Sequence, residues 1–90
     1  MSAAATRDDL ASVVTALTES AVTQRTWQAQ YEALAEAENR LALSSETPVV
    51  IAHHRAQQAL HERHAVQARG TANGLEIGAD MIRKYVDVTP

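Results

Sequence analysis

The feature that most constrains this chain is a long stretch without a helix breaker, from Arg7 to Leu43. It contains no glycine and no proline, and strong helix formers, alanine and leucine above all, dominate it. Thr6 precedes two acidic residues, Asp8 and Asp9, and acids at this position favour the positive end of the helix dipole. The sequence therefore predicts one helix over residues 7–43, about 55 Å long at roughly 1.5 Å per residue.

Apolar residues recur in this stretch every seven positions, in two rows. The first row holds positions 10, 17, 24, 31 and 38, and the second holds positions 13, 20, 27, 34 and 41. Seven of these ten residues are apolar, and two of the three interruptions, Ser20 and Gln24, lie in the middle of the helix. A period of 3.5 residues indicates the seam of a left-handed coiled coil.

A short polar segment from Ser44 to Pro48 interrupts this pattern and predicts a turn. Pro48 suits the first position of a second helix, over residues 48–87, because the N–H that it lacks would have no partner there. The only glycines, Gly70, Gly74 and Gly78, leave two alternatives. Either the helix breaks near Gly70–Gly74 and residues 75–87 form a short third helix, or it continues and the glycines face another element.

Two long helices joined by a short turn must lie side by side and antiparallel. We therefore predict an all-α, antiparallel two-helix hairpin that forms a single domain over residues 1–90. Folding it at Glu46 places the glycines opposite Val14, Leu17 and Val22. One hairpin leaves apolar residues uncovered, so we expect oligomerisation to complete a helical bundle. The predicted interface residues are Leu10, Val13, Leu17, Trp27, Tyr31, Leu34, Leu41, Leu60, Leu75, Met81, Ile82 and Tyr85.

Composition excludes several kinds of function. The net charge of −3 argues against nucleic-acid binding, which needs a basic surface. The absence of cysteine excludes disulfides and thiolate chemistry. No apolar run approaches the roughly 18 residues of a membrane span. The first residues lack the order of a cleavable signal peptide, so we expect a cytoplasmic protein or one exported by a route that needs no such signal.

The four histidines, at positions 53, 54, 61 and 64, are the only candidates for a metal site. His61 and His64 are three residues apart, whereas the metalloprotease helix needs histidines four apart. A di-iron helix needs glutamate three residues before histidine, and Gln58 stands there instead. No acid pair or nucleophile indicates catalysis either. We predict no catalytic residue, metal or cofactor, and hence no enzyme, with a His-rich metal-binding module as the alternative. Histidines near one seam also suggest a response to acid.

The layout resembles the WXG-type helical hairpins of type VII secretion. The segment from Leu75 to Met81 is similar to the end of their second helix, where apolar residues frame a small-residue pair. The resemblance implies antiparallel dimers, a four-helix bundle, secretion in the folded state and no catalysis. The sequence departs from the family where Trp27 is followed by Gln28 and Ala29, in the predicted helix and not in the turn. Needle and rod subunits of type III secretion have a similar outline.

These observations predict a non-enzymatic interaction or structural protein. It would self-associate or pair with a protein partner through coiled-coil-like seams, and a secretion-associated hairpin is the sharpest version. A virion component, an adaptor or a small regulatory coiled coil are the alternatives.

Overall fold

The computed structural model describes residues 6–88, and it confirms the all-α hairpin. Helix α1 spans Arg7–Ser44 and helix α2 spans Pro48–Val88, so three residues connect them. The part of the chain that is described contains no strand. The molecule measures 66 × 25 × 14 Å, and its radius of gyration is 20.0 Å, where a compact 90-residue domain would have about 12 Å. The hairpin is therefore a thin rod.

The start of α1 is fixed by a reciprocal pair of hydrogen bonds between Thr6 and Asp9. The Asp9 N–H donates to Thr6 Oγ1 at 3.1 Å, and the Thr6 N–H donates to Asp9 Oδ2 at 3.0 Å. This capping box satisfies two amides that the helix itself leaves unpaired. The backbone hydrogen bond from Thr6, together with its hydroxyl, lowers the pKa of the Asp9 carboxyl.

The turn holds its backbone groups with local hydrogen bonds. The Ser45 N–H donates to the Ala42 carbonyl at 3.4 Å, and the Thr47 N–H donates to Ser45 Oγ at 3.3 Å. The Thr47 carbonyl then accepts from the Ile51 N–H at 3.0 Å, which is the first helical hydrogen bond of α2. Pro48 begins the helix, as its position in the sequence predicted.

Helix α2 is continuous through the glycines, so the alternative of a third helix is wrong. The three glycines have no positive φ angle. A Cβ at Gly78 would lie 3.7 Å from Leu17 Cδ1, so this glycine faces Leu17 and not Val14, which the predicted register placed opposite it. A Cβ at Gly70 or Gly74 would meet nothing within 4 Å, so the predicted close packing does not extend to them. Helical propensity elsewhere in α2 outweighs their cost of about 1 kcal/mol each.

Alanines form the contact between the two helices. Every hydrophobic residue that is buried in the described chain is an alanine: Ala21, Ala35, Ala42, Ala65, Ala68, Ala72 and Ala79. On α1 they share the heptad row 14, 21, 28, 35 and 42. On α2 they lie in the rows 51, 58, 65, 72, 79, 86 and 54, 61, 68, 75, 82. These rows, with the row from Leu10 to Glu38, make the alanine seam.

One of the two predicted heptad rows therefore lies outside the contact between the helices. The row from Leu10 to Glu38 is half-buried in the alanine seam. The row from Val13 to Leu41 is exposed, with Trp27 and Leu34 each 47% accessible, so these predicted interface residues do not contribute to the contact between the two helices. The α1 row that contains Ala21, Ala35 and Ala42 faces α2 instead, because its small side chains allow the two helices to approach each other.

The alanine seam buries little apolar surface for a chain of this length. A buried leucine or valine contributes about 1.5–3 kcal/mol and a buried methyl group about 0.8 kcal/mol. Among the described residues, no large side chain is fully buried, and thirteen large hydrophobic residues are exposed. The hairpin thus keeps most of its apolar surface available on the outside.

Candidate interaction surface

One long side of the hairpin carries no formal charge. It consists of α1 positions 13, 20, 27, 34 and 41 and of two α2 rows, positions 50, 57, 64, 71, 78, 85 and positions 53, 60, 67, 74, 81. None of these sixteen positions holds Asp, Glu, Lys or Arg. The heptad period keeps each row on one side of its helix, and Trp27 lines a groove with His64, Gln67 and Thr71, which shows that the three rows share one side. We call this surface the uncharged face.

The predicted interface residues divide between the uncharged face and the alanine seam. Seven are exposed on the uncharged face: Val13, Trp27, Leu34, Leu41, Leu60, Met81 and Tyr85. Five are half-buried in the seam: Leu10, Leu17, Tyr31, Leu75 and Ile82. The structure thus brings the first group together on one surface, whereas the second group mainly holds the two helices to each other.

The centre of the uncharged face is a shallow groove beside Trp27. Its volume is about 210 Å³, and Tyr31 and Gln24 line it on the α1 side. The His64 ring stands edge-on to the Tyr31 ring, with centroids 5.0 Å apart and an interplanar angle of 80°. Folding at Glu46 with equal arms would place Tyr31 opposite residue 61, so the observed pairing with His64 is shifted by about one helical turn. Trp27 stays half-exposed, which leaves its ring available to another molecule.

The opposite side of the hairpin is a charged face, built on α1 positions 18, 25, 32 and 39 and on α2 positions 55, 62, 69, 76 and 83. All five of these α2 residues are charged, and their signs alternate along the helix. Arg25 makes two hydrogen bonds to the Glu76 carboxylate, at 3.1 and 3.0 Å, and a third to Asn73 at 2.6 Å. Nearer the ends, Arg83 donates to Thr18 Oγ1 at 3.1 Å and Arg55 donates to Asn39 Oδ1 at 2.6 Å. These side chains already satisfy one another across the two helices.

Arg25 and Glu76 form a bidentate ion pair in which each side chain shifts the pKa of the other. The hydrogen bond to Glu76 raises the pKa of Arg25. The hydrogen bond from Arg25 lowers the pKa of Glu76, and the nearby Asp80 opposes this shift weakly. Both side chains are substantially exposed, at 39% and 48%, so solvent screens the interaction.

The histidines do not form a metal site in the described part of the chain. No group of three or more His, Asp or Glu residues there is placed to hold an ion. His54 Nδ1 lies 2.6 Å from Glu38 Oε2, so the imidazole already has a carboxylate partner in the alanine seam. Glu36 pairs with Arg40 within α1 at 3.2 Å. Glu32 accepts a hydrogen bond from Gln28 in the same helix, so the nearby glutamates of α1 are engaged in local or cross-helix pairs.

Eight polar or small members of the uncharged face were not among the predicted interface residues: Ser20, His53, Gln57, His64, Gln67, Thr71, Gly74 and Gly78. A search for large apolar residues at heptad spacing passes over them. What identifies them is that no residue of their heptad rows is charged. This pattern can be recognised only when the alanine seam has shown which rows lie on the same side of the hairpin.

No helix among residues 6–88 is long and apolar enough to cross a bilayer. Comparison with protein-family models, with curated proteins and with solved structures finds no match to this chain.

Proposed function

We propose that this chain is a non-enzymatic interaction protein that self-associates through its uncharged face. The observation that carries the proposal is the division of the hairpin into a charged face and an uncharged one. Eight of the thirteen exposed large hydrophobic residues lie on the uncharged face: Val13, Trp27, Leu34, Leu41, Val50, Leu60, Met81 and Tyr85. Large apolar side chains exposed along one side of a molecule mark an interaction site.

The amount of exposed surface supports a partner of substantial size. The chain exposes 6505 Å², whereas a folded monomer of 9.7 kDa exposes roughly 5,100 Å². The excess, about 1,400 Å², is larger than the roughly 800 Å² that each partner contributes to a standard interface. Covering the uncharged face would add the core of large side chains that the hairpin lacks.

A second copy of the chain fits this face better than a globular partner. The strip runs along most of a rod 66 Å long, and a second hairpin offers a strip of the same length. Without formal charge, the face has no means of selecting an oppositely charged partner, but it is complementary in polarity to itself. A two-fold arrangement would leave both charged faces in solvent and would make a four-helix bundle.

Light scattering during gel filtration tests self-association, with circular dichroism to confirm that each variant remains helical. We expect the wild-type chain to show about twice the monomer mass of 9.7 kDa. Leu34→Glu should reduce it to a monomer, because it places a charge in the covered strip. Ala29→Glu is the matched control, since residue 29 lies on the same helix beside the charged face. It should keep the wild-type mass.

A second variant removes apolar surface without adding charge. Trp27→Ala combined with Leu34→Ala should also dissociate the assembly, because both side chains lie at the centre of the uncharged face. A wild-type chain that is monomeric at every concentration would contradict self-association. An assembly that Leu34→Glu and the double variant leave unchanged would show that a different surface forms the contact.

The sharper form of the proposal is a hairpin that works in secretion. Two features support it. The outline of two long helices with a short turn resembles the WXG-type helical hairpins, and so does the segment from Leu75 to Met81. On this proposal the folded assembly is exported from the cytoplasm. Recovery of the folded chain from the culture medium of a secreting host tests this form. Retention inside the cells would contradict it.

A further inference from the structure

All four histidines of the chain lie within twelve residues of α2, close to the uncharged face. His53 and His64 belong to the two α2 rows of that face. His54 and His61 belong to a row of the alanine seam, where both are half-buried. The histidines are therefore of two kinds, and the difference between their surroundings carries a functional consequence.

His54 has an acidic partner on the other helix. Its Nδ1 lies 2.6 Å from Glu38 Oε2, and the two side chains are only 19% and 21% exposed. A proton on this ring would convert the hydrogen bond into an ion pair that links α1 to α2.

The histidines of the uncharged face have aromatic or neutral neighbours. The His64 ring packs edge-on against the Tyr31 ring, and Trp27 lines the same groove. His53 lies 5.3 Å from the His54 ring, measured between centroids. The carboxylate of Glu38, on the facing helix, is already engaged by His54. The other titratable groups along these rows are His61 in the seam and Tyr85 at the far end of the face.

We propose that protonation of His53 and His64 releases the second copy from the uncharged face while the hairpin itself stays folded. This inference rests on the proposed self-association. At neutral pH the face carries no formal charge and can be covered by an equivalent face. In mild acid each face gains two positive charges, so four cations would have to be buried in one interface, which is strongly unfavourable.

The expected size of the effect follows from ordinary histidine behaviour. A histidine in water is half-protonated near pH 6.5. If the assembled state excludes the proton, each such side chain weakens association about tenfold between about pH 7.5 and pH 5.5. Several histidines in one interface multiply this factor. The dissociation constant should therefore rise at least about tenfold over this range.

The experiment measures the dissociation constant by light scattering over a dilution series at about pH 7.5 and pH 5.5. Circular dichroism at both values reports whether the hairpin remains helical. We expect the wild-type chain to dissociate at the lower pH with its helicity retained. The double variant His53→Gln with His64→Gln should stay associated at both values. His54→Gln is the control, and it should still dissociate in acid.

Two results would overturn the inference: a wild-type dissociation constant that does not change with pH, or acid release that persists in the double variant. The single variant His53→Gln, at an exposed position, keeps the test decisive if the double variant loses its helicity. It should show a smaller change with pH than the wild type, and an unchanged response would count against the proposal. Failure of the proposed function looks different, because Leu34→Glu would then leave the mass at pH 7.5 unaltered.

Discussion

The two long sides of the hairpin have opposite chemistry although they are built from the same two helices. On the charged face, Arg25, Glu76 and Asn73 bond to one another across the gap between the helices. On the uncharged face, Trp27 and Leu34 stay half-exposed, and nothing within the chain covers them. The charged face is therefore completed by its own residues, whereas the uncharged face is left open. Because only alanines are buried in this hairpin, the distribution of charge is what distinguishes the face suited to solvent from the face suited to contact with another molecule.

The largest expected effect comes from the alanine seam, because both faces depend on it. Ala72 is fully buried, so Ala72→Leu forces the helices apart and should destabilise the hairpin by about 1–3 kcal/mol or more. Thermal unfolding followed by circular dichroism measures the change. The matched control is Ala56→Leu on the exposed part of α2, where the larger side chain has free space. Equal melting temperatures for the two variants would show that the seam is misplaced.

A smaller effect is expected at the glycines, and it separates the uncharged face from the rest of α2. A methyl group at Gly70 or Gly74 meets no atom within 4 Å. Gly70→Ala and Gly74→Ala should each stabilise an isolated hairpin by up to about 1 kcal/mol, because alanine favours the helix. The measurement is chemical unfolding of both variants in the Leu34→Glu background, which we expect to be monomeric. A loss of stability in either variant would contradict the open space seen around these positions.

In the associated form, the same two substitutions sharpen the comparison between the faces. Gly74 lies in a row of the uncharged face, and Gly70 lies outside those rows. The stabilisation should therefore persist for Gly70→Ala but be reduced for Gly74→Ala, where an added methyl group meets the second copy. Equal gains at both positions would place the contact away from Gly74.

The smallest expected effect concerns the charged face. The pKa of Glu76 is lowered in the folded hairpin by the hydrogen bond from Arg25. This pair therefore stabilises the fold above the ordinary carboxyl range, and the contribution is lost as the pH falls through the lowered pKa. Glu76→Gln should make the melting temperature depend less steeply on pH between about pH 5 and pH 2. The change should be small, because the ion pair is exposed and solvent screens it.

The matched control for Glu76→Gln is Glu62→Gln. Residue 62 lies in the same α2 row, and its carboxylate accepts a hydrogen bond from Gln58 within the helix. This variant should keep more of the wild-type slope. An identical loss of slope in both variants would mean that the bond to Arg25 has no particular role in acid stability.

Sequence reasoning was sufficient for the architecture. The lack of helix breakers up to Leu43, the turn ending at Pro48 and the length of both helices follow from composition and spacing. Of the two alternatives at the glycines, the continuous helix is confirmed. Three residues of low helical propensity are few in a helix of 41 residues.

The orientation of the helices around their own axes could not be predicted as well. Large apolar side chains dominate any hydropathy pattern, so the two heptad rows of α1 were predicted together as one coiled-coil seam, although only the row from Leu10 to Glu38 faces α2. Alanine is neither strongly apolar nor large, and a row such as Ala21, Ala35 and Ala42 looks neutral in the sequence. Its advantage is steric, because it lets two helix backbones approach, and this becomes apparent only when both helices are present. The uncharged face depends on that orientation, so it could not be identified first.

The three-residue turn has a consequence for how the molecule can be handled. Because α1 and α2 have similar lengths, Arg7 and Val86 line the same groove, so the two ends of the described chain lie together at one pole of the rod. A dye or tag attached at either end reports on that pole, while a dye near Glu46 reports on the other. Energy transfer between differently labelled copies would therefore reveal whether two hairpins associate with their turns at the same end or at opposite ends.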